Sequence, residues 1–127
     1  MSLTIRILGE KENPATTVEV VGRLDSDTAP QLEAALAPVL ARAPRALVFD
    51  LAGLDYISSD GIGVFLGARK RVEAAGGRVF LVHLRPLIEK VFRVIQAIPD
   101  GGLFRNSAEL DTYLESILRP AKGKTPL

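Results

Sequence analysis

A chain of 127 residues, 47% hydrophobic and 24% charged, has the size and composition of one globular domain with a single core. Sixteen Lys and Arg against fifteen Asp and Glu leave a formal charge of +1, which excludes the global positive field of a nucleic-acid or anionic-lipid binder. The absence of cysteine excludes disulfides and thiolate zinc sites, and a lone histidine, His83, excludes a multi-histidine metal centre.

The first elements in chain order are LTIRIL (3 to 8) and TTVEVVGRL (16 to 24). Both are β-branched and partly alternating, and the turn-like GEKENPA separates them, so they predict an antiparallel entry hairpin. In DTAPQLEAALAPVLARAP, Leu32, Ala35, Leu36, Val39 and Leu40 follow the spacing of an amphipathic helix. Asp27 or Thr28 can cap its first turn, and Pro38 predicts a kink or an early end. ALVFDL (46 to 51) and RVFLVHL (78 to 84) are nearly continuous apolar runs, the pattern of parallel strands covered on both faces. Between them Ile62, Phe65, Ala68, Val72 and Ala75 step by three and four up to Gly76 and Gly77, a natural helix stop. Pro86 opens a further helix carrying Leu87, Ile88, Val91, Phe92 and Ile95, and a short strand is expected around Leu103 and Phe104. Asn106 and Glu109 have capping-box spacing ahead of a terminal stripe of Leu110, Tyr113, Leu114 and Ile117.

The expected fold is one α/β domain over residues 3–118. It has a mixed sheet of four to five strands, antiparallel at entry and parallel at the centre, packed against about four helices. The polar, proline-broken tail 119–127 is expected to be disordered. No apolar run approaches the roughly 18 residues of a spanning helix, and the start MSLTIRILGE lacks a signal-peptide layout. A cytoplasmic protein without membrane insertion is therefore expected.

Ligands and partners of such sheets gather at the carboxyl ends of the parallel strands, where SSDGIG (58 to 63) lies. A dinucleotide fingerprint would need a glycine at position 66, which is Leu66, and no Gly-Lys-Ser/Thr follows for a phosphate loop. A nucleophile elbow fails for want of its first glycine. His83 sits among Leu81, Val82 and Leu84, where a hydrogen-bonded structural role is expected. With no base to activate a serine, no catalytic residue, cofactor or metal is assigned. A serine in a first helical turn can instead be a substrate: its hydroxyl faces solvent near free backbone N–H groups and the positive end of the dipole. A phosphoryl group there is tolerated and adds about −1.5 to −2 charges at pH 7. The simpler alternative is an N-cap at Ser58 or Ser59, worth roughly 1 kcal/mol. Arg69, Lys70 and Arg71 read as a solvated helix face, since no aromatic residues are interleaved to stack on bases.

The stretch LVFDLAGLDYISSDGIGVFLGARKRVEAAGGRVFLVHL, preceded by VEVVGRLDSDTAPQLEAAL, resembles the STAS domain family and within it the bacterial anti-sigma factor antagonists. That resemblance implies an unmodified form that binds an anti-sigma factor, often itself a serine kinase, and is released when one serine is phosphorylated. A serine phosphatase resets the switch. Alignment on Gly61 places the acceptor at Ser59, with Ser58 as a competing acceptor because it stands where the family's turn has aspartate. Asp60 stands where the family has a small hydroxyl residue, and Asp25 matches its surface aspartate after the second strand. Asp25, Ser58, Asp60 and Gly61 are thus candidate partner contacts, although Asp25 can equally cap its own loop and Gly61, Gly63 and Gly67 can serve packing alone. The rival readings are a non-switching STAS adaptor in a membrane-associated transport or signalling complex, and a nucleotide or small-ligand sensor. Oligomeric state stays open.

Overall fold

The computed structural model describes residues 3–9, 15–94 and 103–104. The elements are β1 (Leu3–Leu8), β2 (Ala15–Leu24), α1 (Ala29–Ala41), β3 (Ala46–Asp50), β4 (Leu54–Ile57), α2 (Ser59–Ala74), β5 (Arg78–Val82), α3 (Pro86–Val94) and β6 (Leu103–Phe104). The sheet order is β1-β2-β3-β5-β6, with β4 also paired to β2. β1 runs antiparallel to β2 in a register from Leu3↔Gly22 to Leu8↔Thr17, and every other pairing is parallel. This is the expected mixed α/β sheet. The expected terminal helix and tail lie outside the described residues.

Burial follows the sequence pattern. β2 alternates, burying Val18, Val20 and Leu24, whereas β3 and β5 bury consecutive residues, Ala46 to Phe49 and Val79 to Val82. Leu32, Leu36 and Val39 of α1, Phe65, Ala68 and Val72 of α2, and Ile88 and Phe92 of α3 complete one apolar cluster. Phe65 meets Phe49 edge to face at 4.7 Å between centroids and Phe92 at 5.5 Å.

Several local expectations change. Pro38 does not end α1, which continues to Ala41. The residue lies on the exposed side, so the carbonyl of Ala34 that loses its partner faces water instead of a dry core. Thr28 occupies the N-cap position without bonding the helix N–H groups, because its hydroxyl is turned back into the loop, where the oxygen accepts from the Asp25 N–H at 2.9 Å and the proton goes to the Arg23 carbonyl at 2.8 Å. β5 stops at Val82, one residue before His83, which adopts a left-handed φ of 62° and places Nδ1 3.0 Å from Asp50 Oδ1. β4 is an additional strand: only four residues long, it is buried at its ends (Leu54 and Ile57) and exposed between them.

The two glycines after α2 act differently. Gly76 takes φ 90° to close the helix, while a Cβ on Gly77 would stand 2.3 Å from the Pro44 carbonyl oxygen. The first is a conformational need and the second a close approach of two backbones.

Candidate functional site

β2 is ten residues long and serves two strands on the same side: Ala15 to Glu19 pair with β3, and Gly22 to Leu24 pair with β4. The register shifts between Gly22 and Arg23, and the β3-to-β4 turn fits into this break through the Gly22 N–H, which donates to the Gly53 carbonyl at 2.9 Å. β4 is thereby carried to the carboxyl end of β2, where the Ser58 N–H donates to the Leu24 carbonyl at 2.9 Å. That bond sets the serine turn directly beside the Asp25 loop.

The two serines have different surroundings. Ser58 is the N-cap of α2, with extended backbone (φ −100°, ψ 174°) and a half-buried side chain. Its Oγ accepts from the Gly61 N–H at 3.4 Å, a long and weak cap, and its carbonyl accepts from the Ile62 N–H at 3.0 Å. Ser59 is the first helical residue, is exposed, and has no side-chain hydrogen bond among the described residues. Asp60 is exposed in the same turn, where its charge suits the helix dipole.

Gly61 is buried. A Cβ there would lie 2.6 Å from Leu24 Cγ and 3.1 Å from Ile57 Cγ1, so the missing side chain is what lets α2 settle onto the ends of β2 and β4. It works beneath the surface and offers no side chain to a partner. Gly63 and Gly67 have open space above them, with nothing within 4 Å of a Cβ, so close packing among the described residues does not require them.

Asp25 organises the neighbouring loop. Its Oδ1 accepts from the Asp27 N–H (3.0 Å), the Thr28 N–H (3.1 Å) and the Thr28 hydroxyl (3.2 Å), and its Oδ2 lies 3.8 Å from Arg23 Nε. Desolvation is the largest single influence on this carboxyl and pushes its pKa up. The hydrogen bonds from Thr28 and Asp27, together with the Arg23 charge, outweigh it and hold the pKa below the ordinary value. A carboxyl depressed in the folded state adds stability above its unfolded pKa, near ~3.9, and loses it as pH falls through the lower folded value. Thermal melts from pH 7 to pH 2 should therefore show wild type above Asp25→Asn by a constant margin down to about pH 5, narrowing below about pH 4. A margin independent of pH would contradict this account of the loop.

Four further side chains beside the turn escape a reading based on motifs. Arg23 and Tyr56 are register partners across β2 and β4, with the guanidinium 4.0 Å from the ring centroid, and Val21 is 44% exposed and Tyr56 42%. Their signal in the sequence is the outward set of positions 21 and 23 on β2, visible only once β4 is recognised. Arg85 braces the other flank, donating to the Ala52 carbonyl at 2.9 Å and pairing with Asp55 at 3.0 Å. Among the described residues no three His, Cys, Asp or Glu side chains gather as metal ligands, and no helix is long and apolar enough to cross a membrane.

This geometry can be set beside known proteins. Residues 8–97 match the family described as "Mlab, STAS domain". A Bordetella bronchiseptica protein, BtrV, whose name assigns it provisionally as an anti-sigma factor antagonist, is 40% identical over 73 residues, 58% of this chain and 63% of that protein. The matched stretch is thus less than two thirds of the relative's length. An anti-sigma factor antagonist from Mycobacterium paratuberculosis superposes with a TM-score of 0.74 at 24% identity, over 87% of this chain and 92% of its own. The antagonist SpoIIAA in its unphosphorylated form gives 0.73 at 19% identity, over 94% and 100%; its phosphorylated form, from Bacillus, gives 0.68 at 19%, over 85% and 96%. These structures share the fold, and the family match runs from the end of β1 past the end of α3 through the split β2 and the serine turn. This chain belongs to the STAS domain family.

Proposed function

We propose that this domain is an anti-sigma factor antagonist, a binding module without catalysis of its own, switched by phosphorylation of Ser59. The observation that carries the reading is the division of labour in the turn: the Ser58 hydroxyl is engaged as the cap, while the Ser59 hydroxyl is exposed and unengaged among the described residues. The names of the relatives support the role, and SpoIIAA is known in both phosphorylated and unphosphorylated forms.

The partner is an anti-sigma factor that is also a serine kinase. Its active site removes the Ser59 proton, Oγ bonds to the γ-phosphorus of ATP, and the β–γ bridging bond breaks to release ADP. A serine phosphatase hydrolyses the ester to reset the module. The added charge sits at the amino end of α2, where the helix dipole favours it, so the fold tolerates it. It also joins Asp60, next to the Asp25 loop, and makes an acidic edge more acidic. The unmodified partner contact is formed by the rim of this edge, Asp25, Ser58 and Asp60, and a docking face matched to the unmodified rim is lost when like charge and bulk are added.

Phosphosite mapping on the chain incubated with ATP and native extract tests the assignment, with Ser59→Ala and Ser58→Ala as controls. A phosphoryl group on Ser59 that disappears only in Ser59→Ala is expected. An extract that modifies other substrates and leaves both serines unmodified would favour a constitutive adaptor, and modification at Ser58 would move the acceptor by one residue.

A further inference from the structure

We infer that the exposed face of α2 is a contact for a second copy of this chain, formed when Ser59 carries a phosphoryl group. The face is unusually bare. Ser59, Gly63, Gly67 and Arg71 recur every four residues and are all exposed, with Leu66 (42% exposed) beside the two glycines. A Cβ at either glycine would meet nothing within 4 Å, and a shallow groove of about 200 Å³ runs alongside between α1 and α2, floored by Leu36, Leu40 and Val64. Gly costs a helix interior about 1 kcal/mol relative to Ala, and nothing among the described residues requires it at these positions.

Charge identifies the occupant. The amino end of the face carries Ser59 and Asp60, with Glu33 across the groove, and the carboxyl end carries Lys70 and Arg71. Asp60, Glu33, Lys70 and Arg71 have no ion pair among the described residues. A twofold axis that sets two α2 helices antiparallel places the acidic end of each against the basic end of the other, and both contacts form at once, as an isologous interface demands. The row 59, 63, 67, 71 is an i±4 ridge, and packing that ridge against its own counterpart is the commonest class of helix crossing, near −50°. In that arrangement Gly63 of one copy faces Gly67 of the other, so the axes can approach closely. Ser59, about 18 Å along the helix from Arg71, then faces the Arg71 of the second copy. A phosphoryl group at Ser59 completes two charge-assisted, bidentate pairs with arginine. The same contact hides the Ser59 edge, so the modified chain is withdrawn from its partner by self-association as well as by repulsion.

One helix pair buries less than the ~1,200 Å² of a stable interface, so the unmodified chain is expected to be monomeric at micromolar concentration. The inference rests on Ser59 as the acceptor, and its test does not depend on any kinase. Phosphoserine is incorporated at position 59 during translation, and the full chain is studied by sedimentation equilibrium with and without Arg71→Glu. Lys90→Glu, the same charge change at an exposed site on α3, is the control. Phosphoserine is expected to tighten dimerisation about a hundredfold, tenfold for each symmetric pair. Arg71→Glu should abolish that gain and Lys90→Glu should leave it intact. A phosphorylated chain that remains monomeric, a dimer indifferent to Arg71→Glu, or one lost equally with Lys90→Glu would each overturn self-association through α2. None of these results bears on whether a kinase modifies Ser59, which the mapping experiment decides.

Discussion

Phe65→Ala is expected to cost about 3–5 kcal/mol of stability, a large part of the ~5–15 kcal/mol that holds an ordinary domain together. Phe65 is 4% exposed and lies between Phe49 of β3 and Phe92 of α3, with edge-to-face contacts to both rings. Truncation removes the transfer energy of the ring and leaves a cavity among residues from three elements, which cannot all collapse into it. It also removes two aromatic contacts worth about 0.5–1.5 kcal/mol each beyond their area. Urea unfolding of wild type and mutant gives the difference directly, with Phe65→Leu as a milder replacement expected to keep more than half of the lost stability. A loss below about 1 kcal/mol for Phe65→Ala would mean that α2 is not pinned through this ring.

The second large effect is on binding. Ser59→Asp is expected to weaken the complex with the proposed anti-sigma partner by about tenfold or more, from like charge introduced at a docking rim. Stability should stay within about 0.5 kcal/mol of wild type, because the side chain is exposed and a carboxylate suits the first helical turn. Titration calorimetry reads the affinity and a thermal melt reads the fold. Ser59→Ala, which adds no charge, should bind as wild type does and resist the kinase. An aspartate variant that binds as tightly as wild type would contradict the charge mechanism. A variant that loses stability in parallel with affinity would show that the turn supports the fold more than the partner.

How far the sequence led depended on how local each determinant was. The inner strands β3 and β5 were legible as unbroken apolar runs, and α2 was legible from the three-and-four stepping of Ile62, Phe65, Ala68 and Val72 ahead of two glycines. β4 was not, because four residues with two exposed in the middle carry too little periodicity, and its existence depends on pairing with the far half of β2. Of the kink or early end expected at Pro38, the early end did not occur, because the cost of a helical proline depends on which side of the helix its orphaned carbonyl faces, and that is a tertiary fact. Within the site, the adjacency of SSDGIG to a strand's carboxyl end was visible in the sequence. The separation of a capping Ser58 from an exposed Ser59 was not, since both are good N-cap residues and only the backbone angles of the turn choose between them. The buried role of Gly61 likewise depends on Leu24, thirty-seven residues earlier in the chain.

The divided pairing of β2 also fixes how the domain breathes. β3 is laced on both sides, to β2 and to β5, whereas among the described residues β4 is tied to the sheet by β2 alone, through the pairs at Gly22, Arg23 and Leu24. Backbone amides in β4 are therefore expected to exchange with solvent through small openings that leave the β3 and β5 ladder closed, below the free energy of global unfolding. The serine turn is mounted on a short rung that is laced along one edge among the described residues. Movement there is bounded at Gly61, which is seated on Leu24 and Ile57 of the core, so the exposed Ser59 and Asp60 can shift while the start of α2 stays anchored.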